Sequence, residues 1–231
     1  NFTVEENMPF DKDVSLDPEL LGKVFENLLA SYNPETQQTA RKQTGSLYTP
    51  REIVQYMVDE SLVTHLKRTV GNELESEYRK LLDYADNEIL LTEQQKLAIM
   101  QSLYNCKILD PACGSGAFPV GVLQQMVHIL KQIDPDNSRW KNMLLQFAID
   151  ETSEAYLNST AEERREAVAD IERAFDENVN YPDYARKLHL IENCIYGVDI
   201  QPIAIQISKL RFFISLVIDQ KRNNNPADNF G

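Results

Sequence analysis

With 231 residues, 42% of them hydrophobic and 26% charged, the chain is long enough for a substantial core and is not of disordered or fibrous composition. Its formal charge of −13 excludes a surface that attracts nucleic acid as a whole, so any contact with DNA must be local or come from elsewhere. The longest apolar run, residues 212–218, is too short to span a bilayer, and the acidic N-terminus has no signal-peptide core.

Taken in chain order, "SLDPELLGKVFENLLASYN" predicts a first helix. Asp17 is its cap, Pro18 its first residue, and Leu20, Leu21, Val24, Phe25, Leu28 and Leu29 recur at helical spacing. A polar loop follows, and "YTPREIVQYMVDESLVTHL" predicts a second helix with Thr49 as cap, Pro50 at the first position and Glu52 completing a capping box. Residues 67–104 read as mostly helical and polar. An apolar strand then ends on Asp110, passes through "PACGSG" and enters a helix whose face is Val120, Leu123, Met126, Val127 and Leu130. Residues 138–190 read as a charged helical insertion, with Thr160 and Glu163 as a capping box. "CIYGVD" is a second short strand, and Pro202 opens the last helix. Three cysteines without a CxxC pair fit a reduced, cytoplasmic protein.

Strand, acid, glycine loop and helix form the first unit of a doubly wound α/β sheet, where ligands sit at the carboxyl ends of the strands. A phosphate-binding loop does not fit, because no Gly-Lys-Ser/Thr follows and the loop holds no lysine. The dinucleotide fingerprint fits only by half. Gly114 and Gly116 are present, Pro119 stands where the third glycine belongs, and Asp110 would repel a pyrophosphate. A cationic ligand suits a strand-end carboxylate beside bare glycines better. Asp199, ending the second strand, stands where an acid accepts ribose hydroxyl hydrogens, although the insertion stretches the spacing beyond the usual ~20 residues. His65, His128 and His189 are isolated along the sequence, and no HExxH or Cys/His cluster suggests a metal.

These stretches carry a resemblance. "LDPACGSGAF" resembles the first motif of amino-methylating, S-adenosylmethionine-dependent DNA methyltransferases, "GSLYTPREIVQYMV" the tenth, and "NCIYGVDIQPIAIQISKLRF" the second. That order is the gamma arrangement of N6-adenine methyltransferases. "DPELLGKVFENLL" resembles the helical lead-in of the type IIG restriction–modification enzymes. The resemblance implies a partial Rossmann-like α/β fold, mostly helical with a small parallel sheet. Residues 1–45 would be an N-terminal helical region, and 46–231 the cofactor-binding part of a methyltransferase domain, with insertions at about 67–104 and 134–190.

It also implies roles. Asp110 would meet the methionine amino group of S-adenosylmethionine, the backbone of Ala112, Cys113, Gly114, Ser115 and Gly116 would wrap the methionine moiety, and Pro111 and Phe118 would bind the cofactor beside them. Tyr48, Thr49 and Pro50 would close the other side. Asp199 would hold the ribose, and Ile200 would pack on the adenine. The family's catalytic Asn/Asp-Pro-Pro-Tyr/Phe is absent; Asn225-Pro226 reads as a turn. With Asn rather than Met as the first residue, the chain is expected to be part of a longer methyltransferase. Double-stranded DNA would be contacted through the downstream part, with a nuclease region on the same polypeptide and no membrane. The alternatives are a helical docking module of a defence complex with a relic loop, or a methyltransferase acting on RNA or protein.

Overall fold

The computed structural model describes residues 32–33, 38–39, 49–150 and 159–221. The expected first helix at 18–29, Tyr48 and the Asn225-Pro226 turn lie outside these residues. Strands β1 (Tyr32–Asn33) and β2 (Gln38–Thr39) pair antiparallel. The remainder is mostly helical around one small parallel sheet.

Helix α1 (Arg51–Thr69) buries Val54, Val58, Leu62 and Leu66, one residue every four, along a single stripe. Its start differs from the expectation. Pro50, not Thr49, is the cap residue, with extended ψ of 145° and no side-chain cap; its carbonyl accepts the first helical hydrogen bonds, from the amides of Ile53 and Val54. The region 67–104 is not continuously helical. Helix α2 (Glu75–Leu82) stops at Asp83, which turns to ψ of 139° and accepts the Ala85 amide on its own carboxylate. Such Asx turns compete with helix and win here, leaving residues 85–92 non-helical. Helix α3 (Glu93–Tyr104) then begins at a reciprocal capping box of Thr92 and Gln95.

Strand β3 (Ile108–Asp110) leads through the glycine loop into α4 (Ala117–Ile133). This helix buries more than the expected face: Val122, Gln125, Ile129 and Ile133 are enclosed as well. The cause is position, since α1, α2 and α3 pack around it from the N-terminal half of the chain. Gly121 permits the closest approach. A Cβ there would stand 3.0 Å from Val54 Cγ1. Buried Gln125 ties three helices by donating to Asp59 Oδ1 (2.7 Å) and to the Leu82 carbonyl (3.1 Å).

The insertion supplies α5 (Ser138–Ile149), α6 (Ala161–Ala174) and α7 (Pro182–Asn193). Its Thr160–Glu163 capping box forms as the spacing predicts. It is stapled to the core rather than appended. Asp134, at the end of α4, accepts the Trp140 amide at 2.9 Å, while fully buried Arg186 binds the Asp134 carbonyl and Asp183 Oδ1 (2.5 Å). Tyr104 stacks on both Phe147 and His189 with centroids 4.7 Å apart, and Trp140 meets His189 edge-on.

Strand β4 (Ile195–Gly197) lies parallel to β3, with Ile108 opposite Ile195 and Asp110 opposite Gly197. Helix α8 (Pro202–Val217) follows, with proline at its start as read from the sequence. One face of the strand pair packs into the core through Ile108 and Ile195. The other carries Leu109, Tyr196 and Val198, exposed by 62%, 46% and 56%, so it is uncovered among the described residues. No helix of the described residues is long and apolar enough to cross a membrane.

Candidate functional site

The parallel pair sets Asp110 and Gly197 side by side at the carboxyl ends of the strands, and everything that follows is fixed from there. Beyond Asp110 the chain turns at once, because Asp110 Oδ1 accepts the Ala112 amide at 3.0 Å. The ladder continues past the strands as β4 reaches over the loop. The Val198 amide donates to the Asp110 carbonyl (2.9 Å), and the Cys113 amide donates to the Val198 carbonyl (3.0 Å).

Two glycines have left-handed backbones, Gly114 at φ of 53° and Gly116 at 85°. Their surroundings differ. A Cβ on Gly114 would meet nothing within 4 Å, so this side of the loop opens on free space. A Cβ on Gly116 would run into Ser208 Oγ and stand 3.1 Å from Ser208 Cβ. Gly114 therefore faces a cradle, and Gly116 faces packing.

A cleft of about 370 Å³ opens along the loop. Val54 and Met57 of α1, with Thr49 before it, form one wall. Leu109 and Asp110 at the strand end, the loop from Pro111 to Gly114, and Ala117 and Phe118 of α4 form the other. Among the described residues its walls hold no lysine or arginine. Asp110 is half-buried there, and its Oδ2 has no hydrogen-bonding partner among the described residues, leaving one carboxylate oxygen for a ligand. The Cys113 thiol is buried, and its pKa is pushed up by that burial first and by Asp110 and Asp199 next, so it stays a neutral wall rather than a nucleophile.

The structure thus gathers Thr49, Asp110, Pro111, Ala112, Cys113, Gly114 and Phe118 of the sequence-derived set on one cleft. Pro50, Ser115, Gly116, Asp199 and Ile200 are not among its walls. Ser115 and Gly116 are buried beneath the loop. Asp199 is half-buried behind it and directs both oxygens at backbone, Oδ2 to the Gly114 amide (3.0 Å) and Oδ1 to the Gln201 amide (2.8 Å). In this structure it holds the loop rather than facing the cleft with Asp110. Ile200 is 89% exposed beside it. The sequence reading passed over Val54, Met57, Leu109 and Ala117. The first two were legible, since a helix starting after Pro50 puts positions three apart on one face.

Each histidine has a packing explanation. His65 Nε2 lies 3.0 Å from Ser102 Oγ, His128 stacks on Tyr84, and His189 is enclosed by aromatics. Among the described residues no three His, Cys, Asp or Glu side chains assemble as a metal site.

Comparison with curated proteins finds a significant relative. Over 218 residues the chain is 27% identical to a Methanocaldococcus jannaschii protein provisionally named a type II restriction enzyme and methyltransferase. The match takes in 89% of this chain and 14% of that protein, so the chain spans only about a seventh of the length of the relative. No protein-family model matches, and no solved structure matches significantly.

Proposed function

We propose that the chain forms the cofactor-binding part of a restriction–modification methyltransferase that moves a methyl group from S-adenosylmethionine to adenine N6 in double-stranded DNA. One observation carries the reading. A cleft with no lysine or arginine among its described walls opens at the carboxyl ends of a parallel strand pair, with an open oxygen of Asp110 in its wall and the glycine loop around it. The similarity to the M. jannaschii protein supports the methyltransferase class. The order of Tyr48–Pro50, glycine loop and Asp199 along the chain supports adenine N6 as the acceptor.

The residues present fit the cofactor. It is a cation at its sulfonium and amino groups, and the cleft offers carboxylate and apolar walls. The open side of Gly114 leaves room for a ligand against the backbone, and the cleft volume lies within the range of small-molecule sites. When bound, S-adenosylmethionine supplies a methyl group made electrophilic by the sulfonium. Asp110 Oδ2 would accept a hydrogen bond from the amino group, which orients the amino-acid end. Val54, Met57 and Phe118 would exclude water from the same end, with Thr49 closing it; the resemblance would add Tyr48 and Pro50 on that side. Asp199 retains lone pairs beyond its two backbone bonds, and the apolar side chains of Val198, Ile200 and Ile203 on either side of it in the chain are exposed, where an adenine could lie against them.

We assign the catalytic tetrapeptide, the DNA contacts and a nuclease region to the rest of a longer polypeptide, in keeping with the small share of the relative that this chain matches. Titration calorimetry of the full chain with S-adenosylmethionine tests the proposal. Saturable heat that is lost in Asp110→Ala is the expected result. Absence of heat for the wild type, also after the downstream part is added back, would leave a docking module with a relic loop.

A further inference from the structure

We infer that Arg211 is a positioning residue that holds the glycine loop in its ligand-ready shape from helix α8, an inference that rests on the cofactor reading of that loop. Arg211 is only 4% exposed, and its Nη1 donates to the Ser115 carbonyl at 3.0 Å. A buried guanidinium is costly to desolvate, and the hydrogen bond it makes here falls on the loop. The carbonyl it engages belongs to the peptide that enters left-handed Gly116, the bend where the loop turns into α4. One turn earlier on the same face of α8, Ser208 packs against Gly116 so closely that no side chain fits there.

The same segment reaches the loop a third time through Asp199, which accepts the Gly114 amide just before α8 begins. The β4–α8 unit therefore grips Gly114, Ser115 and Gly116 by an amide, a carbonyl and a close packing contact. Arg211 is not on the cleft wall, so it acts through the loop. Without it, the Ser115–Gly116 peptide loses a buried donor that helps fix its orientation, and the loop must be reordered by the ligand at the ligand's expense. That cost falls on the end of a ligand that the loop wraps. An adenosine lying against Asp199 and Ile200 is spared.

The test uses the full chain, as wild type, Arg211→Gln and Arg211→Lys, with two probes. S-Adenosylhomocysteine carries the amino-acid end; 5′-methylthioadenosine shares the adenosine and thioether but lacks that end. Arg211→Gln is expected to weaken S-adenosylhomocysteine about tenfold while leaving methylthioadenosine within about twofold, as loss of a charge-assisted hydrogen bond confined to one end would do. Arg211→Lys, which keeps the charge, should recover part of the loss. Without ligand, amide exchange in Arg211→Gln should accelerate at residues 112–116 and not along α4. Equal weakening of both probes, or acceleration spread over α4 and α8, overturns the inference and makes Arg211 a plain core residue. Should the wild type bind neither probe, the cofactor reading falls. The exchange pattern, measurable in Arg211→Lys if Arg211→Gln does not fold, then decides Arg211 by itself.

Discussion

Asp110 has two separable duties, and substitution can pull them apart. Oδ1 turns the chain by accepting the Ala112 amide, and Oδ2 is open to the cleft. Asp110→Asn keeps an acceptor for the turn and loses only the charge; Asp110→Ala loses both. Calorimetry should therefore find the affinity for S-adenosylmethionine lowered by about tenfold in the first and by up to about a hundredfold in the second, the range of a hydrogen bond to a charged group. Gly116 is a second residue-scale constraint. With φ of 85° and Ser208 at its back, Gly116→Ala should lower stability in urea unfolding by about 1–3 kcal/mol. Adding Ser208→Gly relieves the clash and leaves the backbone strain, so only part of that loss should return.

Among the elements, the insertion is joined to the core by the aromatic group of Tyr104, Trp140, Phe147 and His189. Burial, with a smaller contribution from Lys107, pushes the His189 pKa down to about 4 from its ordinary 6.5. At pH 7 the imidazole is neutral in both folded and unfolded chain and costs nothing. As the pH falls from 6.5 towards 4, the unfolded chain takes up a proton that the folded chain refuses, so stability drops, by up to about 3 kcal/mol. Urea midpoints between pH 7.5 and 4.5 should fall accordingly, and His189→Gln should remove that portion of the slope. The buried staple of Arg186 to Asp183 and the Asp134 carbonyl makes a parallel claim for α7. Arg186→Ala leaves the buried Asp134 carbonyl without this donor and should cost about 3–5 kcal/mol in the same assay.

On the scale of the whole molecule, helices among the described residues cover the strand pair on one face only. Leu109, Tyr196 and Val198 line the other, and Ile200 and Ile203, which follow in the chain, are exposed as well. An apolar sheet face of this kind belongs against another layer, and a relative much longer than this chain has residues to supply one. The chain by itself should accordingly bind a hydrophobic dye such as anilinonaphthalene sulfonate under native conditions. Tyr196→Lys with Val198→Lys should reduce that fluorescence without shifting the unfolding midpoint, since neither side chain is in the core. Unchanged fluorescence would mean that the face is already covered.

What the sequence determined by itself was local. Pro202 at a helix start, Thr160 with Glu163, and an apolar run ending on Asp110 before a glycine pair each encode their outcome within a few residues, because caps, turns and strand ends are short-range physics. The places where that reading slipped were also local contests, such as Asp83 turning a helix aside and Pro50 taking the cap from Thr49. Only the tertiary structure decided that α4 is buried beyond the face its own spacing marks, because that depends on how many helices surround it. It also decided that Asp199 holds the loop from behind while Asp110 lines the cleft, and that Arg211, 95 residues beyond Gly116 along the chain, reaches the same bend. Their relation comes from the parallel register that puts Asp110 beside Gly197, and long-range pairing of that kind leaves no periodic trace in either segment.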